Sequence, residues 1–127
     1  MFETLKQQWH RFETEHLTPQ QPDPISYHAA ITPDYLTGEA NGKEFGRIAW
    51  QDIEIVAINI EGDFEPFPYW YIGRPNQGVR LPQDTENMAD MLAALAQYLP
   101  HFASDTTRRE IDTAMQASEG RYYIWQR

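Results

Sequence analysis

The sequence contains no cysteine, and only 10 of its 127 residues are Lys or Arg. Without cysteine the chain forms no disulfide, no thiolate nucleophile and no cysteine-ligated zinc site, and nothing in it requires an oxidising compartment. The 19 Asp and Glu residues give a formal net charge of −9. Proteins that bind the phosphate backbone present a basic stripe, so we expect no direct binding of DNA or RNA.

Long apolar runs are absent as well. The longest segment without Asp, Glu, Lys or Arg spans residues 91–104, which is 14 residues, whereas a transmembrane helix needs about 20. The first residues include Glu3 and Lys6, where a signal peptide would have basic residues followed by an apolar run. We therefore expect a cytoplasmic protein that does not enter a membrane.

Motifs for catalysis and metal binding are also missing. The sequence has three serines, and none lies in a Gly-x-Ser-x-Gly nucleophile motif. They are Ser26, Ser104 and Ser118. His10 and His16 are six residues apart, so they do not share a helix face as residues four apart do. We predict no catalytic residue, metal ligand or cofactor, although paired carboxylates on one strand leave open whether the chain is an enzyme.

The composition, with 41% hydrophobic and 13% aromatic residues, predicts one folded domain over residues 1–127. Hydrophobic periodicity indicates a helix over residues 2–17, a series of strands, two further helices that begin after Pro82 and at Ser104, and a last strand near the C-terminus. Asp84 or Thr85 is available as the N-cap of the first of these two helices. The prediction is an α+β domain with an N-terminal helix, an antiparallel meander sheet of about 4–6 strands, two C-terminal helices packed on the sheet and a short terminal strand.

Two local patterns define the predicted sheet. Asn41-Gly42 separates two strand-like segments and is the strongest hairpin signal in the chain, because both residues tolerate positive φ. Gly38 is the weak point of the first strand of this hairpin, because a glycine inside a strand weakens it. In residues 53–60 the apolar phase changes midway, which predicts either that both faces are covered or that a bulge lies near Val56.

Charge is unevenly distributed along the chain. Residues 1–66 hold 12 acidic and 4 basic residues, whereas residues 67–127 hold 7 and 6, and no base lies between Arg47 and Arg74. An aromatic segment, residues 64–71, follows the acids of this base-free stretch. A carboxylate rim beside aromatic anchors is typical of a surface that binds a basic protein. The predicted partner-binding residues are Asp52, Glu54, Glu61, Asp63, Phe64, Glu65, Trp70 and Tyr71.

By strand alternation, Trp70 and Ile72 share one face while Tyr69 and Tyr71 share the other, and one of these sets is expected to be core. The expected function is a small acidic protein-binding module that occludes a basic partner, such as an immunity-type inhibitor of a bacterial toxin or a secretion chaperone. One alternative is a small enzyme or ligand-binding protein, with a pocket formed by Tyr69, Trp70, Tyr71, Trp50 and a histidine. A homo-oligomeric structural subunit is the other alternative.

Overall fold

The computed structural model describes residues 25–60 and 68–127. These residues form seven β strands and two α helices. In chain order they are β1 (Tyr27–Ile31), β2 (Tyr35–Ala40), β3 (Lys43–Ala49), β4 (Ile55–Ile60), β5 (Tyr69–Arg74), β6 (Gln77–Pro82), α1 (Met88–Tyr98), α2 (Asp105–Gln116) and β7 (Gly120–Gln126).

The strands form two antiparallel sheets. The first has the order β1-β2-β3, and the second has the order β6-β5-β4-β7. The C-terminal strand β7 therefore pairs with β4, which lies between β5 and β7. Both sheets supply residues to one hydrophobic core, so residues far apart in sequence meet where the sheets pack.

The predicted fold was correct in its α+β composition and wrong in its architecture. One meander sheet was expected, whereas the strands divide between a three-stranded and a four-stranded sheet. Both helices of the described residues lie in the C-terminal part of the chain. The helix predicted over residues 2–17 falls outside the described residues.

A 3-10 turn at Trp50–Asp52 explains the division into two sheets. The turn follows β3 directly, and Trp50 enters the core, where it is 5% exposed. Its indole N–H donates to the Thr32 carbonyl at 2.8 Å, and its ring stacks on Tyr98 at 4.5 Å. These two contacts hold Trp50 in the core. The turn therefore directs the chain out of the first sheet, and β4 begins the second.

The two local sheet patterns are explained by the strand pairing. Asn41 and Gly42 have φ values of 52° and 82°, as the hairpin prediction requires. β2 continues through Gly38 to Ala40, and its pairing with β3 has a register shift between Gly38 and Glu39. Both alternatives predicted for residues 53–60 hold: the register shifts between Val56 and Ala57 in the pairing with β7, and the centre of the strand is buried on both faces.

The helices pack against opposite parts of the structure. α1 contacts β1, and it buries Met91 and Leu95 completely. α2 packs against β7 and β4 through residues that include the buried Ala114. Ser104 caps α2 by accepting a hydrogen bond from the Thr107 backbone N–H. Neither of the two described helices is long and apolar enough to cross a membrane.

Asn87 links α1 to the outer edge of β1. Its side-chain oxygen accepts from the Ala29 N–H at 2.8 Å, and its side-chain nitrogen donates to the Ala29 carbonyl at 2.7 Å. The amide thus supplies the pair of hydrogen bonds that a neighbouring strand residue would supply. Asn87 is also the N-cap residue of α1, but its side chain makes no cap bond. The prediction of Asp84 or Thr85 as the N-cap was wrong.

We predict that Asn87→Ala lowers the free energy of unfolding by about 1–3 kcal/mol, because the buried backbone groups of Ala29 lose both partners. Asn87→Asp keeps the acceptor but puts a carboxylate oxygen in place of the amide nitrogen 2.7 Å from the Ala29 carbonyl oxygen, so it should also destabilise the protein. Urea denaturation measures both values, with Asn76→Ala in the exposed β5–β6 turn as the control. Equal stability of Asn87→Ala and the control would contradict the proposed role of this amide.

Candidate functional site

The acids that begin the predicted binding surface lie beside Arg74. Asp52 Oδ1 is 3.1 Å from Arg74 Nη2, and Glu54 Oε2 is 3.9 Å from Arg74 Nε. Antiparallel pairing of Ile55 with Gly73 brings this arginine back to acids about 20 residues earlier. All three side chains are partly exposed, so the pairs add little stability. They do lower the local negative charge that Asp52 and Glu54 present.

The predicted anchors Trp70 and Tyr71 lie on opposite faces of β5. Trp70 is 1% exposed, and its indole N–H donates to Gln83 Oε1 at 2.6 Å. Trp70 therefore belongs to the core, together with Ile72, and is not a surface anchor in this structure. Tyr71 is half-buried on the other face. Glu61, Asp63, Phe64 and Glu65 lie outside the described residues.

Tyr71 helps to form a concave surface on the second sheet, which we call the tyrosine groove. Ala57 and Asn59 of β4 form its floor, since they are 2% and 6% exposed. In the register, Ala57 pairs with Tyr71 and Tyr123, while Asn59 pairs with Tyr69 and Arg121. The large side chains of β5 and β7 therefore flank the small side chains of β4 on both sides. The cavity has a volume of about 380 Å³ and is lined by Ile55, Ala57, Asn59, Tyr69, Tyr71, Pro75, Arg80, Arg121 and Tyr123.

The position of Tyr71 depends on a glycine of the next strand. A Cβ added to Gly78 would lie 2.7 Å from the Tyr71 ring and 2.8 Å from the Ile72 carbonyl oxygen. The Tyr71 hydroxyl donates to the Arg74 carbonyl. Burial raises the pKa of Tyr71, and this effect exceeds the opposing effect of a backbone hydrogen bond at Gln77. The phenol is therefore neutral at physiological pH and adds no negative charge to the groove.

A second cavity lies where the two sheets meet, and we call it the inter-sheet cleft. It has a volume of about 650 Å³ and is lined by Tyr27, Ala40, Phe45, Tyr69, Arg80, Pro82 and Asp84. Phe45 is 47% exposed. Its ring meets Tyr27 edge-on, with centroids 6.1 Å apart. A Cβ on Gly38 would lie 2.6 Å from this ring, so the glycine allows Phe45 to lie across β2.

One carboxylate accompanies the aromatic residues in the described lining of the cleft, and a second lies on the neighbouring segment. Asp84 is exposed and lines it. The Glu86 backbone N–H donates to the Tyr27 carbonyl at 2.8 Å, and its carboxylate accepts from the Ser26 hydroxyl at 3.0 Å. The Glu86 side chain is 65% exposed. Among the described residues, the cleft thus combines aromatic rings with one carboxylate, Asp84, while the Glu86 carboxylate lies beside Ser26 and His28.

The cleft and the groove share one wall. Tyr69 and Arg80 line both cavities, and the Arg80 guanidinium carbon lies 3.7 Å from the centre of the Tyr69 ring. A cation at this distance from an aromatic face is attracted to its π electrons. The stacked pair therefore forms a ridge between the cleft, whose described lining also includes Asp84, and the groove, whose described lining also includes Arg121.

Sequence reasoning missed Tyr27, Phe45 and Asp84 because they come from three separate segments. The only signal for Phe45 was its polar surroundings in β3, because the two residues on either side of it are charged or glycine. Of the pocket residues in the ligand-binding alternative, Tyr69 and Tyr71 line the groove. Trp50 and Trp70 are core residues.

Within residues 25–60 and 68–127, no three His, Asp or Glu side chains cluster as metal ligands do. The described surface therefore offers aromatic contacts, guanidinium groups and carboxylates as its binding groups. Comparison with known proteins finds no match for this chain among family models, curated proteins or solved structures.

We predict that Tyr71 releases its proton above its usual pKa of 10.0, and that the protein loses stability as the pH rises past that value. Stability falls with rising pH because a raised pKa favours the neutral phenol in the folded state. This contribution to the free energy of unfolding is complete below about pH 10. Titration of tyrosinate absorbance in the folded protein measures the step. Tyr71→Phe should remove the late step, whereas Tyr123→Phe should keep it; the reverse result would contradict the assignment.

Proposed function

We propose that this protein is a cytoplasmic protein-binding module that occludes a basic partner, such as an immunity-type inhibitor of a bacterial toxin or a secretion chaperone. The inter-sheet cleft is the proposed centre of its binding surface. The observation that carries the proposal is the position of Phe45, a large apolar side chain that is 47% exposed above a cleft of about 650 Å³.

Aromatic side chains, Phe included, are enriched in protein–protein interfaces relative to the rest of the surface. Phe45 is held by its edge-on contact with Tyr27, and Tyr27 itself packs against the core. Both rings are therefore pre-positioned, and their ordering costs little free energy on binding. Pro82 adds a rigid apolar surface to the same cleft.

The acidic character of the chain supports a basic partner. The net charge of −9 attracts positively charged proteins over distances up to the Debye length, about 8 Å at physiological salt. In this proposal Asp84, which is exposed and lines the cleft, is the carboxylate that meets the partner directly. Such charges raise the rate of association more than they strengthen the final complex.

A second candidate function is the binding of a small ligand, and it is favoured by the tyrosine groove. Its volume of about 380 Å³ falls in the range of small-molecule sites, about 300–1,000 Å³. The two functions use different residues on either side of the Tyr69–Arg80 ridge, so variants can separate them.

The first function is tested with tagged full-length protein captured from its native host, followed by identification of a basic protein that co-purifies in equal amount. A toxin encoded by the neighbouring gene is the partner to examine first. With the purified partner, Phe45→Ala should weaken affinity about tenfold or more. Asp84→Lys should slow association, and added salt should slow the association of the unaltered protein.

The matched controls lie on α2, away from the cleft. Met115→Ala removes another exposed apolar side chain, and Asp112→Lys makes the same charge change as Asp84→Lys. Both controls should bind as the unaltered protein does, apart from the change in net charge that the two lysine variants share. The proposal fails when no basic partner is recovered, or when Phe45→Ala and Asp84→Lys bind no differently from their controls.

A further inference from the structure

A third cavity lies beside the 3-10 turn at Trp50–Asp52, and we call it the turn cavity. Its volume is about 460 Å³, which falls in the range of small-molecule sites, about 300–1,000 Å³. Its described lining shares no residue with that of the inter-sheet cleft or the tyrosine groove. The residues that line it include Pro33, Asp34, Tyr35, Trp50, Tyr98 and Arg127.

Asp34 supplies a carboxylate to this cavity. The turn between β1 and β2 holds its backbone, because the Thr32 hydroxyl accepts hydrogen bonds from the N–H groups of Asp34 and Tyr35 at 3.3 and 3.0 Å. The Asp34 carbonyl accepts from the Trp50 N–H at 3.3 Å. The carboxylate itself has no hydrogen bond or ion pair in the part of the chain that the structure describes.

Arg127 supplies a guanidinium group to the same cavity. Its Nε donates to the Ile53 carbonyl at 2.9 Å, and its Nη2 donates to the Trp50 carbonyl at 3.3 Å. These bonds use two of the five N–H donors and fix the plane of the group. The group also lies 5.4 Å from the centre of the Trp125 ring. Within residues 25–60 and 68–127, its other donors have no hydrogen-bond partner and no carboxylate pairs with it.

Trp50 therefore lies between two opposite charges. Its N–H bonds to the Asp34 carbonyl, and its own carbonyl bonds to the Arg127 guanidinium. Asp34 and Arg127 line one cavity and yet do not pair with each other. A ligand that carries one cation and one anion can pair with both groups. A ligand with a single charge leaves one of the two groups without a partner, which lowers its affinity.

The uncharged part of the lining is largely aromatic. The Tyr98 ring stacks on the Trp50 ring, with centres 4.5 Å apart and planes at 18°. Tyr35 is 39% exposed, and the Arg47 guanidinium carbon lies 4.7 Å from the centre of its ring. Pro33 adds a rigid apolar surface. Such a lining favours an apolar, and best an aromatic, side chain on the ligand.

We propose that the turn cavity binds a small zwitterion with an apolar side chain, such as a free α-amino acid. The carboxylate of the ligand pairs with the unused N–H groups of Arg127, since a guanidinium matches a planar carboxylate with two parallel donors. The ammonium group pairs with Asp34, and the side chain packs against Tyr35 and Tyr98. This site is separate from both cavities of the proposed function.

Three probes separate the two charges of the ligand. Phenylalanine carries both, phenylpropionate lacks the ammonium group, and phenethylamine lacks the carboxylate. Nuclear magnetic resonance titration of the full chain at neutral pH follows the backbone signals of Asp34, Trp50 and Tyr98 up to about 50 mM of each probe. Phenylalanine should bind with a Kd of about 1 mM or below, at least about tenfold more tightly than either other probe. Equal binding of phenylpropionate or phenethylamine, or no binding of phenylalanine, overturns the proposal.

Two variants assign each charge of the ligand to its partner. Asp34→Asn should weaken phenylalanine binding about tenfold and leave phenylpropionate binding unchanged. Arg127→Gln should weaken phenylalanine binding by a similar factor and leave phenethylamine binding unchanged. A variant that only loosened the fold would weaken the binding of all three probes. Any pattern other than the expected one therefore overturns the assignment.

The matched controls lie on α2. Asp112→Asn and Arg109→Gln make the same two changes at exposed positions, and both should bind phenylalanine as the unaltered protein does. Phe45→Ala changes the inter-sheet cleft and should also leave phenylalanine binding intact. Failure of this proposal is therefore distinguishable from failure of the proposed protein-binding function.

Discussion

The strand β4 imposes the main physical constraint on this fold, because it must bury both of its faces. Val56 and Ile58 point into the core and are fully buried, while Ala57 and Asn59 on the opposite face are also almost inaccessible. A strand buried on both faces pairs at both edges, and β4 does so with β5 and β7. The size of the side chains on the outer face of β4 then determines the shape of the surface there. Small residues on β4 between large ones on β5 and β7 produce a groove rather than a flat sheet.

The same constraint explains how the C-terminal segment is placed. β7 completes the second edge of β4, and the bulge opposite Val56 and Ala57 lets neighbouring apolar residues, Ile124 and Trp125, both enter the core. The Trp125 indole N–H donates to the Pro100 carbonyl at 2.7 Å. Like Trp50 and Trp70, this tryptophan has a hydrogen-bond partner for its ring nitrogen. Each of these three buried tryptophans therefore adds apolar area without leaving a polar atom unsatisfied.

The sequence could predict what depends on neighbours along the chain. The Asn41-Gly42 hairpin, the bulge near Val56, the two C-terminal helices and the terminal strand follow from turn chemistry and periodicity. The separation of Trp70 from Tyr71 follows from alternation. What could not be predicted is which strands pair, because pairing is decided by packing between distant segments. Without the pairing, neither the two sheets nor the approach of Phe45 to Tyr27 is visible. Asn87 was missed for the same reason, since its side chain serves β1 rather than its own helix.

The positions of charged residues along the sequence do not show which charges are neighbours in the structure. The stretch between Arg47 and Arg74 has no basic residue, yet Arg74 lies beside Asp52 and Glu54, because a hairpin folds the end of that stretch onto its beginning. Arg80 and Arg121 are 41 residues apart in the numbering, yet Arg80 stacks on Tyr69 and Arg121 donates to Asn59, and these two residues are partners in the β4–β5 register. Charged residues that are far apart in sequence become neighbours when their strands pair at a spacing of about 4.8 Å. A count of charges along the sequence does not show this proximity. For this protein the net charge sets the field at a distance from the surface, and the pairing of β4 determines which side chains lie together at the groove.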